Sequence, residues 1–132
     1  MGKKLKRSKE QKIALQFRRV QNRLSALATT DELIMQHLLL GGRSTASEVA
    51  TEVQLTSGSM TAAINRLVKL GLVERQRTDL DRRKVYLDLT ETGRDAAKIS
   101  FKAQQKELKK VLKDFTEREL ALMAGILKRL QD

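Results

Sequence analysis

The chain has 132 residues, enough for one domain with a modest core and too few for two independent ones. Hydrophobic residues make up 40% and aromatic residues only 3%, an aliphatic composition that favours helices, while 27 Lys and Arg against 16 Asp and Glu give a formal charge of +11 that points to a polyanionic partner. The absence of cysteine excludes disulfides, thiolate sensors and cysteine zinc sites, and the absence of any long apolar run predicts a cytoplasmic protein with no membrane partner.

No proline, internal repeat or Gly/Ser linker marks a boundary, so residues 1–132 read as one domain. The Met1–Lys12 stretch is dominated by Lys and Arg and reads either as a solvated helix start or as an arm for DNA phosphates. After it Ile13, Phe17, Val20, Leu24 and Leu27 recur at four-three spacing, an apolar seam on an otherwise polar helix that calls for a partner helix. Thr29, Thr30 and Asp31 offer N-caps for a second helix with Leu33, Ile34, Leu38 and Leu39 as its apolar residues and Gly41-Gly42 as its stop.

Thr45-x-x-Glu48 forms a capping box that opens a short helix with Val49, Ala50 and Val53 inward. Leu55 fills a tight turn, Thr56 and Ser57 can cap the next helix, and Met60, Ile64, Leu67 and Val68 recur as a buried face. The opposite face carries Gly58, Ser59, Ala62, Asn65, Arg66 and Lys69, slim at the front and cationic toward the end. A major groove admits a helix whose leading residues are small, with hydroxyls and amides reaching base edges and cations on flanking phosphates. Ser59, Thr61 and Asn65 are therefore the expected base readers; an ordinary capped, solvated helix face is the plainer alternative. Gly71 ends the helix, and 72–77 and 84–89 read as alternating strands around a charged loop, 78–83, that puts guanidinium groups at a hairpin tip suited to a minor groove. Asp81, a carboxylate among these cations, is expected to pair with a nearby arginine.

From Thr45 to Gly93 the segments STASEVA, LTSGSMTAAINRLVKLGLVER and DRRKVYLDLTETG, in that order and spacing, resemble the MarR (multiple-antibiotic-resistance regulator) family. The resemblance implies a mainly α fold with a small β-hairpin wing, in which 29–89 is a winged helix-turn-helix DNA-binding lobe and 5–27 with 90–132 a helical dimerisation region. It implies Arg83 as the wing arginine, Asp81 as its buttress and Arg82 between them. Ser57, Gly58, Ser59, Thr61, Ala62, Asn65 and Arg66 match recognition-helix contacts, and Lys69, Arg75 and Arg77 complete the DNA-binding set. Many relatives carry a longer side chain at the place of Ala62; contact with a thymine methyl can take over there.

Thr90 caps a long helix through about Asp114, and Thr116-x-x-Glu119 opens a last one striped by Leu120, Met123, Ile126, Leu127 and Leu130. Ile13, Phe17, Val20 and Leu24 with this last stripe form the expected homodimer interface; packing within one monomeric bundle is the alternative. A two-fold dimer would meet successive major grooves about 34 Å apart, so the expected ligand is an inverted-repeat operator in double-stranded DNA. Repression, relieved by a small aromatic effector as the family resemblance implies, is the expected sign, with Phe17, Met35 and His37 as pocket candidates. His37, the single histidine, and the methionines otherwise read as packing residues, and neither a metal site nor a cofactor is expected.

Three rival readings remain at this level. A sequence-tolerant architectural DNA binder would rely on charge alone, and an adaptor would use the winged module against another protein. An enzyme has little to work with: no cysteine, one histidine in an apolar setting, no Gly-rich phosphate loop and no paired-carboxylate motif.

Overall fold

A computed structural model describes residues 2–78, 80 and 83–132. Its elements run α1 (Lys9–Ser25), α2 (Thr30–Gly41), β1 (Ser44–Thr45), α3 (Ala46–Val53), α4 (Ser57–Lys69), β2 (Val73–Arg77), β3 (Val85–Leu89), α5 (Glu91–Leu112) and α6 (Glu117–Arg129). Each helix opens on a Ser or Thr, at Ser8, Thr29, Thr45, Thr56, Thr90 and Thr116, whose hydroxyl accepts the N–H three residues on. Ser8 with Gln11, Thr45 with Glu48 and Thr116 with Glu119 close full capping boxes.

The core lies where α2, α3 and α4 meet the sheet and the first turns of α5. Ile34 and Leu38 from α2, Val49 from α3, Met60, Ala63, Ile64 and Leu67 from α4, Val73, Leu87 and Leu89 from the strands and Ala97 from α5 are all buried. Met35 joins this cluster, whereas Leu33, expected on the apolar side of α2, lies at its exposed edge. A polar chain ties α2 to α5: the Gln36 amide donates to Ser100 Oγ at 3.2 Å, and Ser100 donates to Glu32 at 3.0 Å.

The sheet is antiparallel with order β1-β3-β2, and Val73, Arg75 and Arg77 sit opposite Leu89, Leu87 and Val85. The sequence predicts only the β2–β3 hairpin. β1 adds a third strand, pairing Ser44 with Leu87 and Thr45 with Tyr86; at two residues it is too short to show any alternation. Both hairpin strands begin one residue later than expected, and the reason is clear for Leu72. Its amide donates to the Leu67 carbonyl while the Gly71 amide donates to Val68, the paired bonds that close a helix through a left-handed residue, and Gly71 has φ +73.

The same turn anchors α5. The Thr90 amide donates to the Leu72 carbonyl at 3.1 Å, its hydroxyl donates to the Gly71 carbonyl at 2.6 Å, and that hydroxyl accepts the Gly93 amide at 3.0 Å. A Cβ on Gly93 would be driven into the Leu72 carbonyl, so only glycine allows α5 to cross here. The Leu-Thr-x-x-Gly sequence thus clamps the end of α4 to the start of α5.

Outside this lobe the packing stops. α1 and α6 bury no residue and make at most marginal contact with the other elements, and α5 buries nothing beyond Ala97. The α1 seam is open, with Ile13 55%, Phe17 40%, Val20 53% and Leu24 41% exposed. On α6 Ile126 and Leu127, with Leu130 just past its end, are exposed, while Leu120 and Met123 are half-buried. Among the described residues no helix is long and apolar enough to cross a membrane.

Candidate nucleic-acid interface

The buried stripe of α4 fixes which side faces out. With Met60, Ile64 and Leu67 in the core, Ser57, Gly58, Ser59, Thr61, Ala62, Asn65, Arg66 and Lys69 are all exposed, and no side chain larger than a threonine precedes Asn65 on this face. The hydroxyls have distinct roles. Thr56 Oγ1 donates to Ser59 Oγ at 3.1 Å, leaving the Ser59 proton for an outside acceptor; Thr61 gives its proton to the Ser57 carbonyl at 2.9 Å and presents lone pairs.

Asn65 is coupled to the wing. Arg75 on β2 donates from Nη2 to Asn65 Oδ1 at 2.6 Å, which fixes the amide plane and leaves its NH2 and a second lone pair for an adenine edge. Arg75 and Arg77 share the β2 face of Val73, and with Ala46, Thr61, Ile64, Val85 and Leu87 they line a hollow of about 360 Å³ between α4 and the sheet. A second hollow, about 420 Å³, brings Arg83 and Lys84 beside Thr45, Ser47 and Glu48 at the start of α3. The backbone of α3, α4 and the hairpin therefore gathers most of the expected DNA-binding set on one side of the lobe.

Arg66 is anchored within the lobe. Its Nη2 lies 2.8 Å and its Nε 3.3 Å from the Asp31 carboxylate, a two-point pair between α4 and the first turn of α2. That hydrogen bond first, and the carboxylate charge second, hold the guanidinium above its ordinary pKa. Asp31 reads in the sequence only as an N-cap candidate, and nothing in the spacing of residues 31 and 66 announces the pair. Arg43 is also absent from the expected set; its guanidinium stacks 5.0 Å from the centre of the Tyr86 ring on β3.

Asp81 and Arg82, the expected wing buttress and its neighbour, lie outside the described residues. The effector candidates stand in three separate surroundings: Met35 is in the core, Phe17 is exposed on α1, and half-buried His37 faces Ser44. Ser44 donates its proton to the Gly42 carbonyl at 3.1 Å, so His37 Nε2, 3.3 Å away, is the donor to Ser44 Oγ. Among the described residues no group of three or more acidic, His or Cys side chains is placed to hold a metal.

A capped helix with a slim outer face, a short helix set against it and an arginine-bearing hairpin on a three-stranded sheet define a winged helix-turn-helix DNA-binding transcription regulator. A family model described as MarR family matches residues 33–84. The chain is 30% identical over 97 residues to the uncharacterized HTH-type transcriptional regulator YwhA of Bacillus subtilis (strain 168), covering 74% of this chain and 70% of YwhA. It belongs to the MarR family, whose members are transcription regulators and not enzymes.

Solved structures share the fold across nearly the whole chain. NMB1585, a MarR family regulator from Neisseria meningitidis, superposes with a TM-score of 0.79 at 21% identity over 95% of this chain and 92% of its own. A mutant MarR from E. coli complexed with operator DNA gives 0.77 at 21% identity over 91% and 94%. NadR in complex with 4-hydroxyphenylacetate gives 0.74 at 20% identity over 98% and 97%.

Proposed function

We propose that this regulator is a cytoplasmic homodimeric repressor that recognises an inverted-repeat operator and leaves it on binding a small aromatic molecule. The observation that carries the reading is the union of a base-reading face on α4 with two apolar helices, α1 and α6, that the chain leaves uncovered. A second copy supplies the cover and, by its two-fold axis, a second recognition helix one turn of DNA away. In each half-site α4 enters the major groove with Ser59, Thr61 and Asn65 toward base edges; Ser57, Gly58, Ala62, Arg66 and Lys69 flank them. Arg75, Arg77, Arg82 and Arg83 serve the backbone and the minor groove, with Asp81 as buttress.

Occupancy of a promoter then excludes polymerase, and a signal that alters the separation of the two lobes releases it. Support for an aromatic effector comes from the fold shared with NadR, which is solved with 4-hydroxyphenylacetate, and not from Phe17, Met35 and His37, which do not converge.

Selection of bound sequences from random duplexes tests the core of this reading. The expected product is an inverted repeat with half-sites one helical turn apart, preferred over random duplex by a factor on the order of 10³ or more. A flat sequence preference at fixed salt would replace the reading with that of a sequence-tolerant architectural binder.

A further inference from the structure

Most of the net charge of this chain lies outside the winged lobe. Residues 29–90, the winged lobe, hold eight Lys and Arg and eight Asp and Glu, so the lobe is formally neutral. Residues 1–28 hold nine cations and one acid, and residues 98–113 hold six lysines and one acid. The lobe's cations gather on its DNA-facing side, but balanced by as many acids they add little net attraction at long range, the usual source of sequence-independent DNA affinity.

On α5 the excess is ordered. Lys98, Lys102, Lys106, Lys109 and, at the helix cap, Lys113 follow one another at four, four, three and four residues, which at 100° per residue places all five within an arc of about 80°. The row is about 22 Å long at 1.5 Å per residue. All five are exposed, and among the described residues none is in an ion pair. Glu107, the one acid between Lys98 and Lys113, lies off this arc and is paired with Lys110 at 3.1 Å. The buried Gly93 and Ala97 and the half-buried Leu108 and Val111 fall on the far side of the helix, so packing α5 against its neighbours leaves the lysine face open.

Like charges four apart on a helix repel, and this row repeats that spacing three times; the acids on the same face, Glu91 and Asp95, stand only before its first lysine. A second copy of the chain is a poor source of compensation: α1 carries Glu10 as its single acid and α6 only Glu117 and Glu119, the latter engaged in its own capping box, too few for five lysines. A linear polyanion matches both the sign and the straightness of the row.

We propose that the lysine face of α5 is a second DNA-binding surface, which takes the phosphodiester backbone of duplex DNA outside the segment read by α4 and the wing. This rests on the DNA-binding reading above and extends it. It divides the work of binding: the lobe discriminates and makes the near phosphate contacts, and α5 adds sequence-independent attraction beyond them.

The test uses the full chain and a long random-sequence duplex, titrated by fluorescence anisotropy between about 50 and 200 mM salt. The variant Lys102→Gln/Lys106→Gln/Lys109→Gln/Lys113→Gln is expected to lower the slope of log K against log salt by about 3 to 4 per subunit, at about 0.9 per phosphate, without lowering the preference for selected over random sequence. The corresponding four-fold Lys→Arg variant should retain the wild-type slope. Acetylation of lysines on the wild-type protein gives a reading independent of any variant's folding: duplex DNA should protect these lysines at least threefold. A wild-type slope in the glutamine variant, or equal acetylation with and without duplex, overturns the proposal while leaving the operator reading standing. Protection by phosphatidylserine vesicles but not by duplex overturns it in favour of a membrane surface. Failure of the wild type to bind any duplex removes the operator reading and this one together.

Discussion

The winged lobe and the terminal helices are incomplete in opposite ways. The lobe has a closed core drawn from α2 to α5 and no net charge; α1, α6 and the far half of α5 carry the positive excess and bury nothing. Burial of apolar surface stabilises one region within a single chain, and the same term is left unsatisfied in the other. The lesson is that one short chain can separate what it needs in order to fold from what it needs in order to assemble.

The sharpest way to break this comparison is to charge the open seams. Val20→Glu with Ile126→Glu is expected to leave a monomer by analytical ultracentrifugation and to lower operator affinity by about 100-fold or more, since each half-site then binds alone. Thermal unfolding of the lobe should hardly change, because neither side chain is in its core. A stable dimer in this variant would show that the seams pack elsewhere.

Next in size is a change inside the lobe. Gly93→Ala forces a methyl group into the Leu72 carbonyl and is expected to cost about 3 kcal/mol, near the upper end of ordinary overpacking, read as a drop in Tm on the order of 10 °C. An unchanged Tm would mean that α5 can lift off the turn, which the Thr90 hydrogen bonds argue against.

Smaller effects sharpen the division between reading and attraction. Arg75→Ala removes the donor that orients Asn65 and is expected to weaken operator binding about tenfold, within the 1–3 kcal/mol of a good base contact, while relaxing discrimination at one base pair. Equal loss on operator and random duplex would make Arg75 a plain phosphate contact. The smallest change expected is at Gln54, which caps α3 with φ 55; Gln54→Gly should raise stability by about 0.5 kcal/mol in denaturant titration, the left-handed strain outweighing the added chain entropy.

The helices were legible because their ends are written locally. Thr caps, two of them with a Glu partner, mark the starts of α2 to α6, and the Met60, Ile64, Leu67 spacing fixes the outward face of α4. Much of the candidate site follows from that face alone. Pairings across distant sequence were not legible. Asp31 with Arg66 spans 35 positions, and β1 exists only through its ladder with β3, so neither leaves a local period. Arg66 consequently reads in the sequence as a DNA contact alone, and in the structure it is also tethered to Asp31. Glycine at 93 shows the intermediate case: the motif is visible, but its physical reason, a backbone passing where a Cβ would be, requires the fold.

The Thr90 clamp also has a mechanical consequence. Because the carbonyls of Gly71 and Leu72 hold the first turn of α5, that 22-residue helix is a lever about 33 Å long whose fulcrum is the last turn of the recognition helix. A tilt of only about 5° at the fulcrum carries the distant end through about 3 Å at that length. Whatever shifts the remote end of the lever therefore bears on the groove-reading surface through this clamp and through the packing of α5 on α2.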